Sequence, residues 1–287
     1  MKVAIVCGHF VPQLGYIEVH LARAMHEAGH EVEVVTSNKT SQSAKHLAQV
    51  NQLDDELPYS IVRLSAWFSA GQIVRSKGIN KELNRFQPNK VIVIGLGKIF
   101  PKEVFRAQRN FELITLLGDN EDTYNASQKS GLSALKKSML QSGLKNPLYK
   151  KAVEHSDRLI GYTPSTLSII SNLVGDYLQQ KLGEKYCEAS LGFFPEEYNA
   201  TGATPSHTFI TATRITPTKR LEKVIDALCE LKTKELNFSY KLIGFSNDDY
   251  SRKLKLYIQE KGLDQEVECL PFVPRNKMNE LYNSAFI

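Results

Sequence analysis

Short apolar runs alternate with amphipathic stretches along almost the whole chain. Within the first 195 residues the runs are Val3 to Cys7, Glu31 to Thr36, Ser60 to Leu64, Lys90 to Ile94, Glu112 to Leu117 and Arg158 to Tyr162, with helical spacing of apolar residues between several of them. Each run has the length of a strand, and strands alternating with helices predict an α/β fold built on a mostly parallel, doubly wound sheet. Two stretches break the rhythm. Ser37 to Asp55 is polar and reads as a loop, and residues 65 to 77 read as a helix carrying Trp67, Phe68 and Val74 beside Arg75 and Lys77. Trp67 is expected in the core, the usual place for tryptophan, with contact to an acceptor or to the membrane as the competing reading. Glu196 to His207 is rich in Ala, Thr, Gly and Pro and suits a linker. The pattern then resumes with Thr208 to Ala212, Leu221 to Lys232, Tyr240 to Ile243, Ser251 to Glu260, Val267 to Leu270 and Asn276 to Asn283. The expected organisation is therefore a first Rossmann-like domain over 1–195, a linker over 196–207, and a second, incomplete one over 208–287.

One turn stands out chemically. Thr213-Arg214-Ile215-Thr216-Pro217-Thr218-Lys219 follows a predicted strand and precedes an amphipathic helix marked by Leu221, Val224, Ile225 and Leu228. Ligands gather at strand carboxyl ends in open α/β sheets, and helix N-termini attract anions. Arg214 could fork onto phosphate oxygens while Lys219 adds a point charge; a pair of solvated surface cations is the competing reading. At the end of another strand, Leu117-Gly118-Asp119-Asn120-Glu121-Asp122 places three carboxylates in four residues. This is either a catalytic loop, with Asp119 and Asn120 as its working residues, or an acidic cap on the next helix. Glu18 and His20 lie two apart on a predicted helix, so they do not form a metal pair, and each is either near a cleft or on the surface. His30, after Gly29, is expected to cap that helix through its imidazole.

Composition narrows the classes. The chain has 287 residues, 42% of them hydrophobic, enough for two domains with cores. No apolar run reaches the length of a membrane span and Met1 leads straight into a strand, so the expectation is a cytoplasmic protein. The four cysteines, Cys7, Cys187, Cys229 and Cys269, are scattered, lack zinc spacing and are expected to be reduced and mostly buried. A formal charge of +5 comes without any recognisable nucleic-acid module, so nucleic acid is not an expected partner. Lysines 129, 136, 137, 145, 150 and 151 share a stretch with Leu132, Leu135, Met139, Leu140, Leu144 and Leu148. That stretch is either an ordinary packed helix or a peripheral contact with anionic lipid at the inner membrane face. Gly8-His9-Phe10-Val11-Pro12-Gln13-Leu14-Gly15 lacks the glycine spacing of a dinucleotide-binding loop, and no P-loop occurs.

Three regions together resemble the retaining glycosyltransferases of group 1, family 4, which have the GT-B fold. Arg214 and Lys219 match the arginine and lysine of the family's Gly-Arg-Leu-x-x-x-Lys-Gly turn, with Thr213 and Arg220 in place of its glycines. Residues 1 to 36 are similar to the family's first strand, glycine loop, helix and Gly-His-Glu-Val strand, with Tyr16 replacing the second loop glycine after Gly15. Residues 266 to 285, with Pro271-Phe272-Val273 and Glu280-Leu281-Tyr282, are similar to the loop near the donor base and its following helix. Gly244-Phe245-Ser246 stands where the family has Gly-x-Gly.

The resemblance implies transfer of a sugar, with retention, from a nucleotide diphosphate sugar to a hydroxyl of a glycan or lipid-linked acceptor, in cell-surface polysaccharide or glycolipid synthesis. It implies diphosphate binding by Arg214, Lys219 and Gly15, nucleotide contacts by Gly244, Phe272 and Val273, and a sugar-facing role for Asp119 or Asn120, where the family often has histidine. No Asp-x-Asp occurs and no metal or other cofactor is indicated. It also implies a Glu-x7-Glu motif beyond Ile287, so the chain is expected to be a fragment without transferase activity of its own. A non-catalytic nucleotide-binding partner protein and a nucleotide-sugar epimerase of the same fold remain the alternatives.

Overall fold

The computed structural model describes residues 1–39, 54–70, 73–106, 108–118, 143, 145–192, 194–200 and 207–285. They form two compact units, Met1–Phe193 and Phe194–Ile287. In chain order the first unit contains β1 (Lys2–Cys7), α1 (Ile17–Glu27), β2 (Glu31–Ser37), β3 (Ser60–Leu64), β4 (Ala66–Ala70), β5 (Ile73–Ser76), α2 (Ile79–Phe86), β6 (Lys90–Ile94), β7 (Glu112–Leu117), α3 (Asn146–His155), β8 (Arg158–Gly161), α4 (Thr166–Leu173), α5 (Asp176–Lys185) and β9 (Tyr186–Glu188).

Seven of these strands make one parallel sheet in the order β3-β2-β1-β6-β7-β8-β9. Its central strands are apolar throughout because both faces are covered. Ala4, Val6, Val91 and Val93 point into one core with α2, α3, α4 and α5, while Val3, Ile5, Cys7, Ile92 and Ile94 point into the other with α1. Strand order reverses between β1 and β6, so the first unit has its crevice at the carboxyl ends of those two strands.

The second unit holds β10 (Thr208–Ala212), α6 (Leu221–Thr233), β11 (Ser239–Phe245), α7 (Asp249–Glu260), β12 (Val267–Pro271) and α8 (Arg275–Asn283). Its parallel sheet runs β10-β11-β12 over one core of Leu221, Ile225, Leu228, Leu242, Leu254 and Ile258. Residues 194–200 are tied to α8. Arg275 pairs with Glu197, and Asn279 and Asn283 both donate Nδ2–H to the carbonyl of Asn199, at 3.3 and 2.8 Å.

Several expectations need correction. The described residues between 65 and 77 form no helix: β4 and β5 pair antiparallel as a hairpin. The β-branched pair Ile73-Val74 is buried in the sheet core, which a strand permits with less side-chain restriction than a helix. Trp67 is not in that core, since 56% of it is exposed. Of the four cysteines Cys7 alone is buried, Cys187 is exposed, and Cys229 and Cys269 lie between, so "mostly buried" fails. Beside His30 it is the backbone that caps α1, where the His30 N–H reaches Met25 O at 3.1 Å and the Gly29 N–H reaches His26 O at 2.9 Å. The expected loop over 37 to 55 and the lysine-rich stretch from Lys129 fall largely outside the described residues. The described end of that stretch, in α3, buries Leu148, Tyr149, Ala152 and Val153 in the core as an ordinary packed helix.

Candidate functional site

In the second unit all three predicted nucleotide-facing segments leave the same edge of the sheet. The Thr213 to Lys219 turn follows β10, Gly244 lies one residue before the end of β11, and Phe272 and Val273 follow β12. Because the strands are parallel in the order β10-β11-β12, the Gly244 turn lies between the other two. Ile215 is 5% exposed and sits in the core, fixing the first turn, while Arg214 and Lys219 on either side of it are exposed. Among the described residues neither cation is held by an ion pair. Phe272 and Val273 are half-buried.

The turn is short-circuited by hydrogen bonds from Lys219 N–H to Thr216 O at 2.9 Å and from Arg220 N–H to Pro217 O at 3.1 Å. Arg220, which begins α6, has φ of 51°, in the left-handed region. The glycine that the resemblance places there would adopt this geometry without steric cost. Replacing Arg220 by glycine is therefore expected to stabilise the second unit by roughly 1 kcal/mol, a rise in melting midpoint that calorimetry reads.

Gly244 has φ of +118°, and a Cβ built on it would lie 2.0 Å from the carbonyl oxygen of Thr213. The Thr213 N–H also bonds Ile243 O at 3.1 Å, so the β11 turn and the Arg214 turn are pressed backbone to backbone. Ser246, standing where a second glycine was expected, donates to Asp248, whose carboxylate in turn accepts the Ser251 N–H at 2.9 Å and caps α7. The serine thus trades close approach for a firmer helix start.

The first unit presents a different cluster at its crevice. Gly8 follows β1, and a Cβ there would meet Lys98 Cδ at 2.9 Å, so the lysine stem from the turn after β6 lies directly against the β1 loop. Ser37 Oγ donates to Gly8 O at 2.6 Å, and His9 donates its Nδ1–H to Lys39 O at 2.9 Å. Arg63 forks onto Asp54 at 2.5 and 2.8 Å and reaches Phe10 O at 3.1 Å, which clamps the loop from below. Ile99, closing the Lys98 turn, is a β-branched residue at φ of 63°, strain of the kind that collects at functional sites.

Burial dominates the titration here. It pushes the Cys7 thiol up to about 12, with Glu18 adding to the effect, so the thiol is inert. It lowers His9, helped by Lys98, and raises Glu18, which Lys98 partly opposes. Glu18 is 6% exposed, which settles its placement as buried, while His20 is half-buried. A raised carboxyl means that the folded state binds more protons than the unfolded one, so this group costs stability increasingly as pH rises above the ordinary carboxylate range. Glu18→Gln is expected to raise the melting midpoint at pH 7 and to make little difference near pH 3, as thermal scans across pH would show.

Gly15 lies exposed in the loop before α1, on the same edge as this cluster. Asp119 and Asn120 lie outside the described residues. Gly118 just before them is covered by the Tyr162 hydroxyl, 1.8 Å from where a Cβ would stand. Sequence reasoning missed Lys98, His9 and the Arg63–Asp54 clamp; Lys98, His9 and Arg63 are each one polar residue in an apolar context, and only the glycine beside His9 hinted at a close approach.

Residues 196–287 match the family described as glycosyl transferases group 1. No curated protein shows significant similarity to the chain. Among solved structures, sucrose-phosphate synthase from Thermosynechococcus elongatus is 15% identical with a TM-score of 0.69, covering 99% of this chain and 73% of that one. Anabaena HepE, in complex with UDP and glucose, is 15% identical with a TM-score of 0.65, covering 99% of this chain and 72% of that one. Staphylococcus aureus TarM, with Fondaparinux, alpha-GlcNAc-glycerol and UDP, is 11% identical with a TM-score of 0.60, covering 99% of this chain and 79% of that one. The fold is thus the α/β fold of GT-B glycosyltransferases. Among the described residues no helix is long and apolar enough to cross a membrane.

Proposed function

We propose that this chain carries the donor-binding and acceptor-side folds of a retaining glycosyltransferase of family 4, which moves a sugar from a nucleotide diphosphate sugar to an acceptor hydroxyl. One observation carries the reading. Three segments within the span matched to glycosyl transferases group 1 meet at one sheet edge, with two exposed cations on the turn beside the backbone-packed Gly244.

In this reading Arg214 and Lys219 hold the diphosphate, Gly244, Phe272 and Val273 lie against the nucleoside, and Gly15 contacts the phosphates on sequence grounds alone. Departure of the sugar leaves negative charge on the diphosphate as positive charge grows at the glycosyl carbon. Preorganised cations at the leaving group stabilise that charge without reorganising during the reaction. The scheme calls for no metal. Asp119 or Asn120 would face the donor sugar, on sequence grounds alone, and the lysines from 129 to 151 would meet anionic lipid in a cytoplasmic, peripherally bound enzyme of cell-surface glycan synthesis. Neighbouring structures hold UDP, so uridine diphosphate is the first nucleotide to test. Calorimetric binding of UDP, lost on removing both cations, tests the assignment; no binding of UDP or guanosine diphosphate by the unaltered protein sinks it.

A further inference from the structure

The hairpin of β4 and β5 places aromatic surface in water where the fold does not require it. Trp67 is 56% exposed and Phe68 44%, and their ring centroids are 6.2 Å apart. Neighbours on a regular strand face opposite sides; here the pairing shifts between Ala66 and Phe68, and this bulge accompanies two successive rings left side by side. The Arg75 guanidinium stands over the indole, 4.7 Å from its centroid. Beneath them Ile73, Val74 and Ser76 are buried, so the platform is mounted on packed structure. It is also mounted at the ligand edge. The Asn38 N–H bonds Leu64 O at 2.9 Å and Asn38 Oδ1 accepts the Ala66 N–H at 3.1 Å, which fixes the start of the hairpin to the carboxyl ends of β2 and β3.

We propose that Trp67, Phe68 and Arg75 form a stacking site for the pyranose rings of an acceptor glycan. The apolar C–H face of a pyranose fits an aromatic face, whose quadrupole is negative, and the guanidinium can donate to ring hydroxyls. A lipid surface fits less well. Hairpins that enter lipid need bulky apolar residues turned outward, and here the small Ala70 ends β4 while Ile73, which begins β5, is turned into the core. The inference rests on the glycosyltransferase reading for its role, because it names the acceptor class of that activity.

Trp67 is the only tryptophan in the chain, so its fluorescence reports this site alone. Maltohexaose, cellohexaose and chitohexaose would be titrated into the protein. The expected result is a saturable change with at least one of them, weakened about tenfold by Phe68→Ala, roughly the loss of one aromatic contact. Trp67→Ala should abolish saturation-transfer NMR signals from the same sugar while leaving the thermal midpoint unchanged. No response across the panel overturns the proposal. So does a blue shift produced only by phosphatidylglycerol vesicles, which would mean a lipid surface, or a spectrum that changes only with protein concentration, which would mean a second copy. Saccharide binding that persists in a protein unable to bind UDP would sink the nucleotide reading and uphold this site.

Discussion

Replacing Arg214 and Lys219 together by alanine is expected to weaken uridine diphosphate binding about a hundredfold while leaving the fold intact. A hydrogen bond to a charged group contributes about 1.5 to 3 kcal/mol, so two such contacts sum to about 3 kcal/mol at the low end. The low end applies because both side chains are exposed and water screens them. Each tenfold in affinity corresponds to about 1.4 kcal/mol, which gives the hundredfold. The turn itself should survive, because Ile215 anchors it in the core and, among the described residues, neither cation supports a neighbour through an ion pair. Arg214→Lys separates geometry from charge. It keeps the point charge and loses the planar fork, so it should fall between the unaltered protein and Arg214→Ala. Lys223→Ala, one turn into α6 and exposed, is the control for general electrostatics and should change affinity by less than about twofold. Calorimetry at fixed salt decides the matter: unchanged affinity in the double variant removes the diphosphate assignment.

The strands were readable from their apolar runs because burial on both sheet faces leaves no ambiguity about which residues can stand there. Lys90 to Ile94 and Glu112 to Leu117 appear at the predicted bounds, and so does Thr208 to Ala212, although none of its residues is fully buried. The hairpin was not readable in this way. Its strands are short, one of them is exposed along most of its length, and Trp67 breaks the alternation at a bulge, so the pattern from 65 to 77 has no clean period of two. Strand β9 escaped for a related reason: three residues, Tyr186–Glu188, carry too little pattern. At the candidate site the charged turn was legible, since two cations around a proline are visible at any distance in the fold. The crevice of the first unit was not, because His9, Glu18, Lys98 and Arg63 are spread over 90 residues and meet only through the order of β1, β2, β3 and β6. Arg220 is an intermediate case. The glycine that the resemblance places there would suit the left-handed backbone found, and the arginine there holds the conformation at a steric cost.

Gly244→Ala is the substitution expected to damage stability most. The added methyl would stand 2.0 Å from Thr213 O and 3.0 Å from Thr213 C, and both atoms belong to backbone that cannot swing aside as a side chain does. The residue also holds φ of +118°, outside the range that L side chains adopt readily. Relief would need the Arg214 turn to lift from β11 and the Thr213–Ile243 hydrogen bond to break. Strained backbone and overpacking each cost about 1 to 3 kcal/mol, so a loss of about 3 kcal/mol or more is expected. For a unit of this size that corresponds to a fall in melting midpoint of about 10 °C or more. Hydrogen exchange should show the loss over residues 207–285 and leave the strands of the first unit protected. Gly262→Ala separates the two causes, because Gly262 also has a positive φ, +65°, but nothing lies within 4 Å of its added methyl. Its cost should be the conformational one alone, about 1 kcal/mol. If Gly244→Ala proves no worse than Gly262→Ala, the two turns are not pressed together, and the geometry that sets Arg214 beside Gly244 is wrong.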